Sequence, residues 1–437
     1  MKGHVGSPVV LRCGRRTAET YVEDIDGTMQ GKRANNAVRT DAGPRAEHRG
    51  ARDHNQVSQH AHRLRPTCIE VERIPAAPAT VAAVAPSGSS RPVPRTAVIV
   101  SPSLNDVGGV ERSAHLIERV LRDRGWHVRL VAPAREPSKW VRRLGGNALS
   151  FSRAAMEQVP HEGVDLIVTS SGYGAFAPRR LPRVHIYHGT IVQHTIDGDI
   201  DLPMRERLRR VFGEGLAEAL AGRGATAVAV SESAAREVRR YFRLSCDAVI
   251  PNGVDTDVFT PRERPAARAR FGLDRDGRYA LFVGRTEARK GADLLLASCA
   301  RAGFELIIAG TSTLHGGREL GVLTQEETAW AYAAADCVLF PSRYEACSFV
   351  VLEALASGTP LITTRTGWMK TFLEVMPAYG ELCVKPNVED IARQLGRLER
   401  MDTERLSAEA RAWMVEHGNY TTFARRWDEL IDRLEAS

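Results

Sequence analysis

The chain has 437 residues, 43% of them hydrophobic, and a formal net charge of +7. Residues 96–437 are long enough for about two domains of ~150 residues with sizeable cores. No apolar run approaches the ~20 residues of a membrane-spanning helix, so a helical bundle in a bilayer is excluded and a soluble, cytoplasmic protein is expected. Seven cysteines, an odd number without a C-x-x-C pair, exclude a zinc or disulfide framework; Cys246, Cys299, Cys337, Cys347 and Cys383 lie in or beside apolar runs, as small buried hydrophobes of a reducing compartment do.

The first 95 residues stand apart, with 15 Lys and Arg against 9 Asp and Glu, so that +6 of the +7 lies there. Periodicity is weak throughout, and Pro, Ala, Gly and Ser dominate 75–95 as in a linker. A disordered basic extension is expected. Such a tail can bind acidic lipid or nucleic acid, but its diluted charges of mixed sign favour a bystander, and no nucleic-acid partner is expected. No n-region, apolar core and cleavage site stand together, so a signal peptide is not expected.

Residues 96–134 give a strand, a turn, a helix and a strand: AVIV, then Gly108-Gly109, then apolar residues at helical spacing (Val110, Ala114, Ile117, Val120, Leu121), then Gly125 and HVRLV. Glycines at such a turn let a backbone approach a ligand without a Cβ in the way, or equally let helix pack on strand. Further strands are expected near 165–169, 184–187, 226–230 and 248–250. After the first of these, Gly172-Tyr-Gly174-Ala-Phe-Ala177 imitates a dinucleotide fingerprint, but Pro178 and Pro182 oppose the long phosphate-facing helix such a site needs. His188 closes the next strand, with His185 and His194 as neighbours that compete for any role. The helix expected over 204–222 carries Arg205, Arg207, Arg209 and Arg210, either a solvated face or a contact with anionic membrane. Residues 250–261, IPNGVDTDVFTP, read as a turn-rich linker.

A second alternation of strand and helix begins near 280, in the manner of parallel α/β sheets. YALFV ends at Gly284, and the following loop carries Arg285, Arg289 and Lys290 before a helix opening near Gly291 with Asp293 in its first turn. A guanidinium and an ammonium so placed can hold a diphosphate, or form a solvated basic loop. Strands are expected near 305, at 337–340 and at 361–364, and a helix over 419–435. Between the last two strands Glu345 and Glu353 stand eight positions apart. With a helix starting just after Glu345, its free N–H groups face a phosphorylated ligand and Glu353 lies ~12 Å further along the axis; two such carboxylates suit two hydroxylated parts of one elongated ligand better than one metal. Asp-x-Asp recurs at Asp24/Asp26, Asp197/Asp199, Asp199/Asp201, Asp255/Asp257 and Asp274/Asp276, too cheaply to mark a metal site.

The four motifs, in this order and ending in Glu-Ala-Leu-Ala-Ser-Gly-Thr-Pro at 353–360, resemble the retaining glycosyltransferases of family 4. The resemblance covers 96 to about 435. It implies the α/β GT-B fold: two Rossmann-like parallel-sheet domains facing a cleft, an acceptor-binding one over 96–255 and a nucleotide-sugar-binding one over 256–418, with a helix at 419–437 crossing back to the first. It implies metal-independent transfer, without a cofactor, from a UDP-, GDP- or ADP-sugar to a glycan, lipid-linked or small-molecule acceptor. Arg285 and Lys290 would hold the donor diphosphate, Glu345 orient the sugar, Glu353 bind the ribose and His188 stand near the donor sugar. Gly109, with Gly108, would contact phosphate or acceptor, and Gly284 and Gly310 would border the donor. The resemblance gives Arg289 no role. Two departures stand out: Ala346-Cys347-Ser348 replaces the usual Gly-Phe-Gly after the first Glu, and the stretch from Gly310 to Thr324, where the base pocket is usually shaped, is short. A sugar-nucleotide epimerase and a degenerate, binding-only GT-B protein are the competing readings.

Overall fold

Two parallel sheets organise the chain. The computed structural model describes residues 95–104, 108–133, 147–160, 162–198 and 201–436; the basic extension lies outside them apart from Arg95. The first sheet has the order β2-β1-β3-β4-β5-β6, with β1 (Thr96–Val100), β2 (His127–Val131), β3 (Leu166–Ser170), β4 (Arg183–Tyr187), β5 (Thr226–Ala229) and β6 (Ala248–Val249). β3 and β4 are buried along their whole length, the pattern of parallel strands covered on both faces, where an apolar run replaces alternation. Helix α1 (Gly109–Asp123) buries Ala114, Ile117, Val120 and Leu121, the apolar stripe legible in the sequence. α2 (Asn147–Met156) precedes β3. The Gly172–Gly174 stretch belongs to one 3-10 turn, Ser171–Gly174, and no α-helix follows it before β4.

Between β4 and β5 run α3 (Ile191–Asp197), α4 (Met204–Arg209) and α5 (Gly215–Gly222), the last two joined by a π-helical turn over Arg210–Glu214. The helix expected over 204–222 is therefore continuous but carries a π-bulge, a device that re-aims side chains and recurs at functional sites. α6 (Glu232–Phe242), capped by the Ser231 hydroxyl accepting from the Ala234 N–H, leads to β6.

The second sheet has the order β11-β10-β7-β8-β9, with β7 (Tyr279–Val283), β8 (Glu305–Ala309), β9 (Arg318–Gly321), β10 (Cys337–Phe340) and β11 (Leu361–Thr363). β9 has no counterpart among the expected strands: RELG has no apolar run, and its pairing with β8 as an edge strand creates it. Around this sheet lie α7 (Arg264–Arg270), α8 (Ala292–Ala302), α9 (Gln325–Ala334), α10 (Phe349–Ala356), α11 (Trp368–Val375), α12 (Val388–Arg397) and α13 (Thr403–His417). α9 begins with a capping box in which Thr324 and Glu327 satisfy each other's backbone N–H.

The last helix, α14 (Tyr420–Glu435), packs on α1. Backbone bonds from Val254 N–H to Gly418 (3.1 Å) and from Tyr420 N–H to Val254 (3.0 Å) fix the crossing point. Arg124 then donates to Asp428 (3.1 Å) and Asp432 (2.6 Å), and the Arg119 guanidinium lies 4.0 Å from the Tyr420 ring centroid. Exposed ion pairs contribute ~0–1 kcal/mol each, whereas a fully buried large apolar side chain contributes roughly 1.5–3 kcal/mol. Buried Phe423, Trp427, Leu430 and Ile431 therefore hold α14 in place, and the arginines set its register.

Candidate active site

The carboxyl ends of β7 and β8 bring two glycines together. Gly284 (φ 122°) and Gly310 (φ 133°) adopt backbone conformations that side chains rarely take. A Cβ on Gly310 would strike the Gly284 carbonyl, and one on Gly284 would come within 2.7 Å of the Lys290 ammonium. The close approach therefore needs glycine at both positions, and it seats Lys290 over the strand ends. Lys290 follows β7 in a 3-10 turn, Ala288–Lys290. Burial lowers its ammonium pKa, a shift opposed by the nearby Glu345 carboxylate. Arg285 is mostly exposed and pairs with Glu287 at 3.1 Å.

The loop after β10 packs on that same turn. Arg343 N–H donates to the Arg289 carbonyl at 2.8 Å, and Ser342 Oγ lies 3.2 Å from the same oxygen. Arg289 in turn donates to Glu345 Oε1 (3.0 Å) and to the Tyr344 carbonyl (3.1 Å), and Ser342 Oγ donates to the same carboxylate oxygen at 3.2 Å. Glu345 is thus held by two donors on one oxygen. Helix α10 starts at Phe349, with Ser348 as an N-cap that makes no side-chain bond, so two loop residues separate Glu345 from the N-cap and three from the first helical residue. The departure at Ala346-Cys347-Ser348 costs no strain, because among the described non-glycine residues only Ser171 and Arg243 have positive φ. The loop packs against Gly367 (φ 49°), where a Cβ would strike the Glu345 and Ala346 carbonyls, while Asn252 donates to the Cys347 carbonyl at 3.0 Å.

The His188 loop of the first half meets this loop directly. Glu237 Oε2 accepts from Thr190 N–H (3.0 Å), Thr190 Oγ1 (3.1 Å) and Tyr344 Oη (2.8 Å), and a Cβ on Gly189 (φ 90°) would strike the Tyr344 hydroxyl. Burial raises the Glu237 pKa. Beneath it Glu218 accepts from Ile191 N–H at 2.9 Å, and burial pushes its carboxyl up to about 8. Burial lowers His188 to about 4, so it is neutral near pH 7. Its two competitors are placed differently: His185 is buried in β4 with Nδ1 2.9 Å from Thr169 Oγ1, and His194 lies on α3 with its ring 5.5 Å from that of Tyr344.

Glu353 has another environment. Only 2% of its side chain is exposed; Oε1 accepts from Arg112 of α1 at 2.5 Å and Oε2 from Tyr332 of α9 at 2.9 Å. The Arg112 guanidinium also lies 4.2 Å from the Phe349 ring centroid. Gly109 faces the same ring, which a Cβ there would meet at 3.9 Å, whereas a Cβ on Gly108 would collide with the Glu111 carboxylate. The structure thus gathers Lys290, Glu345, Gly284 and Gly310 at one edge of the second sheet. It groups Gly108, Gly109 and Glu353 around Arg112 and Phe349. Between the halves lies a cavity of about 400 Å³ whose wall includes Glu345. Among the described residues no cluster of His, Cys, Asp and Glu could hold a metal ion.

The first half of the chain, residues 107–258, matches the family model Glycosyltransferase Family 4, and residues 263–413 match Glycosyl transferases group 1. The chain belongs to family 4 of the glycosyltransferases. Curated relatives include the D-inositol 3-phosphate glycosyltransferases of Segniliparus rotundus, 32% identical over 43% of this chain and 46% of the relative, and of Acidothermus cellulolyticus, 29% identical over 60% and 63%. The chain thus spans about half the length of the curated relatives it matches. Solved structures with the same GT-B fold include sucrose-phosphate synthase from Thermosynechococcus elongatus (TM-score 0.64, 21% identity, 78% of this chain and 99% of that one). WaaG, a glycosyltransferase of lipopolysaccharide biosynthesis, is another (TM-score 0.61, 16% identity, 76% and 98%).

Three residues that build this arrangement escape a reading of the motifs. Arg289 is the side chain that holds Glu345, Arg112 closes on Glu353, and Glu237 ties the His188 loop to Tyr344. Arg289 was visible as one cation of a basic loop. Arg112 and Glu237 are single charges on helices, and their partners lie 241 and 107 positions away, a distance no local pattern reports.

Proposed function

We propose that this chain transfers a sugar from a nucleotide-sugar donor to a hydroxyl acceptor, with retention at the anomeric carbon and without a metal. The observation that carries the reading is the convergence of Lys290 and the Arg289-held Glu345 at the carboxyl ends of the second sheet, the place where open α/β sheets bind ligands. The N-terminal amides of α10, without a side-chain cap, offer donors to the diphosphate. Lys290 and Arg285 stabilise the charge that grows on it as the anomeric C–O bond breaks. Glu345 orients the donor sugar through its hydroxyls. The acceptor oxygen bonds to the anomeric carbon on the face the diphosphate leaves, and its proton passes to the departing phosphate oxygen, so no protein nucleophile is needed. Neutral His188 acts as a hydrogen-bonding group rather than a proton carrier. A structural neighbour, Anabaena HepE, is described in complex with UDP and glucose, which supports a nucleotide-sugar donor, and relatives named for D-inositol 3-phosphate support a polyol among the acceptor classes.

The deciding experiment is nucleoside-diphosphate release from UDP-, GDP- and ADP-sugars in EDTA, with cell extract as acceptor. Release from one donor is expected, falling ~10²–10³-fold in Lys290→Ala or Glu345→Ala, the cost of removing one preorganised electrostatic group. Release that disappears in EDTA, or is untouched by both substitutions, would refute the reading. A second reading, binding without turnover, has one observation in its favour: both oxygens of Glu353 are already engaged. Calorimetric nucleotide binding with silence across the panel would select it.

The π-interrupted helix supports a peripheral membrane contact in this reading. Met204, Leu208, Phe212 and Leu216, four apart, are all exposed, and Arg205 and Arg210 lie on the same stretch. Apolar side chains flanked by arginines fit an anionic lipid surface.

A further inference from the structure

The cavity beside Glu345 holds more positive charge than its own carboxylates neutralise. It is walled on one side by α3 and α6 and on the other by the 343–345 loop and the start of α11. Its acidic groups already have partners. Glu345 is held by Arg289 and Ser342, Glu237 by Thr190 and Tyr344, and Asp197 accepts from Gln193 at 2.6 Å. Arg343 is likewise spent, in a two-pronged pair with Asp293 at 2.7 and 2.8 Å. Three cations remain. Arg236 donates to the Ser233 hydroxyl at 3.1 Å, and Arg240 lies 5.3 Å from the Tyr241 ring centroid. Among the described residues neither these arginines nor Lys370 is paired with a carboxylate.

Arg236 and Arg240 stand four apart on α6 and so share a face, while Lys370 is the third residue of α11 on the opposite wall. The two walls touch through Ser233 Oγ donating to the Gly367 carbonyl at 3.2 Å. We propose that this pocket is an acceptor subsite for a phosphomonoester, with Arg236 and Arg240 supplying planar donor forks and Lys370 a point charge. Guanidinium groups bind phosphate through paired N–H donors and an ammonium binds it as a compact charge. The inference rests on the transferase reading, since it assigns the acceptor that the reading leaves open. It places the acceptor's phosphate in the cavity and its hydroxyl toward the Glu345 side, with the donor diphosphate left to Lys290 and α10. A subsite built from both halves also makes the phosphorylated acceptor a bridge across the cleft.

The test is calorimetric binding of inositol 3-phosphate, glucose 6-phosphate and glycerol 3-phosphate, each against its unphosphorylated counterpart and against UDP. The proteins are the wild type, Arg236→Ala/Lys370→Ala and the conservative Arg236→Lys. The expected result is that at least one phosphorylated polyol binds the wild type tenfold or more tightly than its counterpart. The double variant loses about 10–100-fold, as expected for hydrogen bonds to a charged group, Arg236→Lys recovers part of it, and UDP binding and the melting temperature stay unchanged. No preference for phosphate in the wild type, or equal binding in the variants, would overturn the proposal. A parallel loss of UDP binding would also overturn it, by assigning these cations to the donor. Because binding is read without turnover, absence of diphosphate release in the donor panel would sink the transferase reading while leaving this result standing.

Discussion

Arg112 and Glu353 pose the sharpest question at the scale of single residues. An ion pair with one partner this buried is retained only with good geometry and further hydrogen bonds; here Tyr332 supplies one of them. Removing Arg112 leaves a buried carboxylate uncompensated, so Arg112→Met is expected to lower unfolding stability by roughly 3–5 kcal/mol, with much of the loss recovered in Arg112→Met/Glu353→Leu. Urea unfolding of the two variants checks this, and equal loss in both would show that packing rather than charge governs the site. Glu218 gives a second prediction. Its folded pKa of about 8 lies above the ordinary carboxylate value of ~4.3, because burial disfavours the charged form. The neutral carboxyl therefore contributes stability that is fully present below the unfolded value and is lost as pH rises through about 8. Glu218→Gln keeps an acceptor for Ile191 N–H, so its melting temperature is expected to fall less than that of the wild type between neutral and mildly alkaline pH. Parallel curves would refute the assignment.

At the scale of elements, the strands of the first sheet were legible because parallel strands buried on both faces are written as short apolar runs such as AVIV, LIVTS and VHIY. The Glu345 and Lys290 motifs were legible because each sits within a few residues of a strand end. What was hidden has a common cause. β9 exists only as a partner of β8, and α10 starts at Phe349 rather than just after Glu345 because the intervening loop turns against Gly367. The π-turn at Arg210–Glu214 is invisible to a 3.6-residue period. Glu353 shows the limit most clearly. Its spacing from Glu345 placed it correctly on the helix, but α1, from the other half of the chain, decides what its carboxylate touches.

At the scale of the whole molecule, the exposed stripe of α4 and α5 bears on where the protein works. Among the described residues no helix is long and apolar enough to cross a membrane, and the membrane contact proposed for the stripe is a lateral one. Phe212 is 71% and Met204 67% exposed, unusual for large apolar side chains. Ile196, also exposed, lies beside them where Arg207 donates to the Thr195 and Ile196 carbonyls at 3.0 Å. A purely electrostatic contact is screened within a Debye length of ~10 Å at 0.1 M salt, whereas insertion of apolar side chains is insensitive to salt. Co-sedimentation with vesicles containing anionic lipid is therefore expected to persist when salt is raised, and to be lost in Leu208→Ser/Phe212→Ser. Since both side chains are exposed, the double variant is expected to melt at the wild-type temperature. Binding that vanishes at moderate salt in the wild type, or that survives the double substitution, would reduce the stripe to a solvated helix face and leave the arginines as its only contact with lipid.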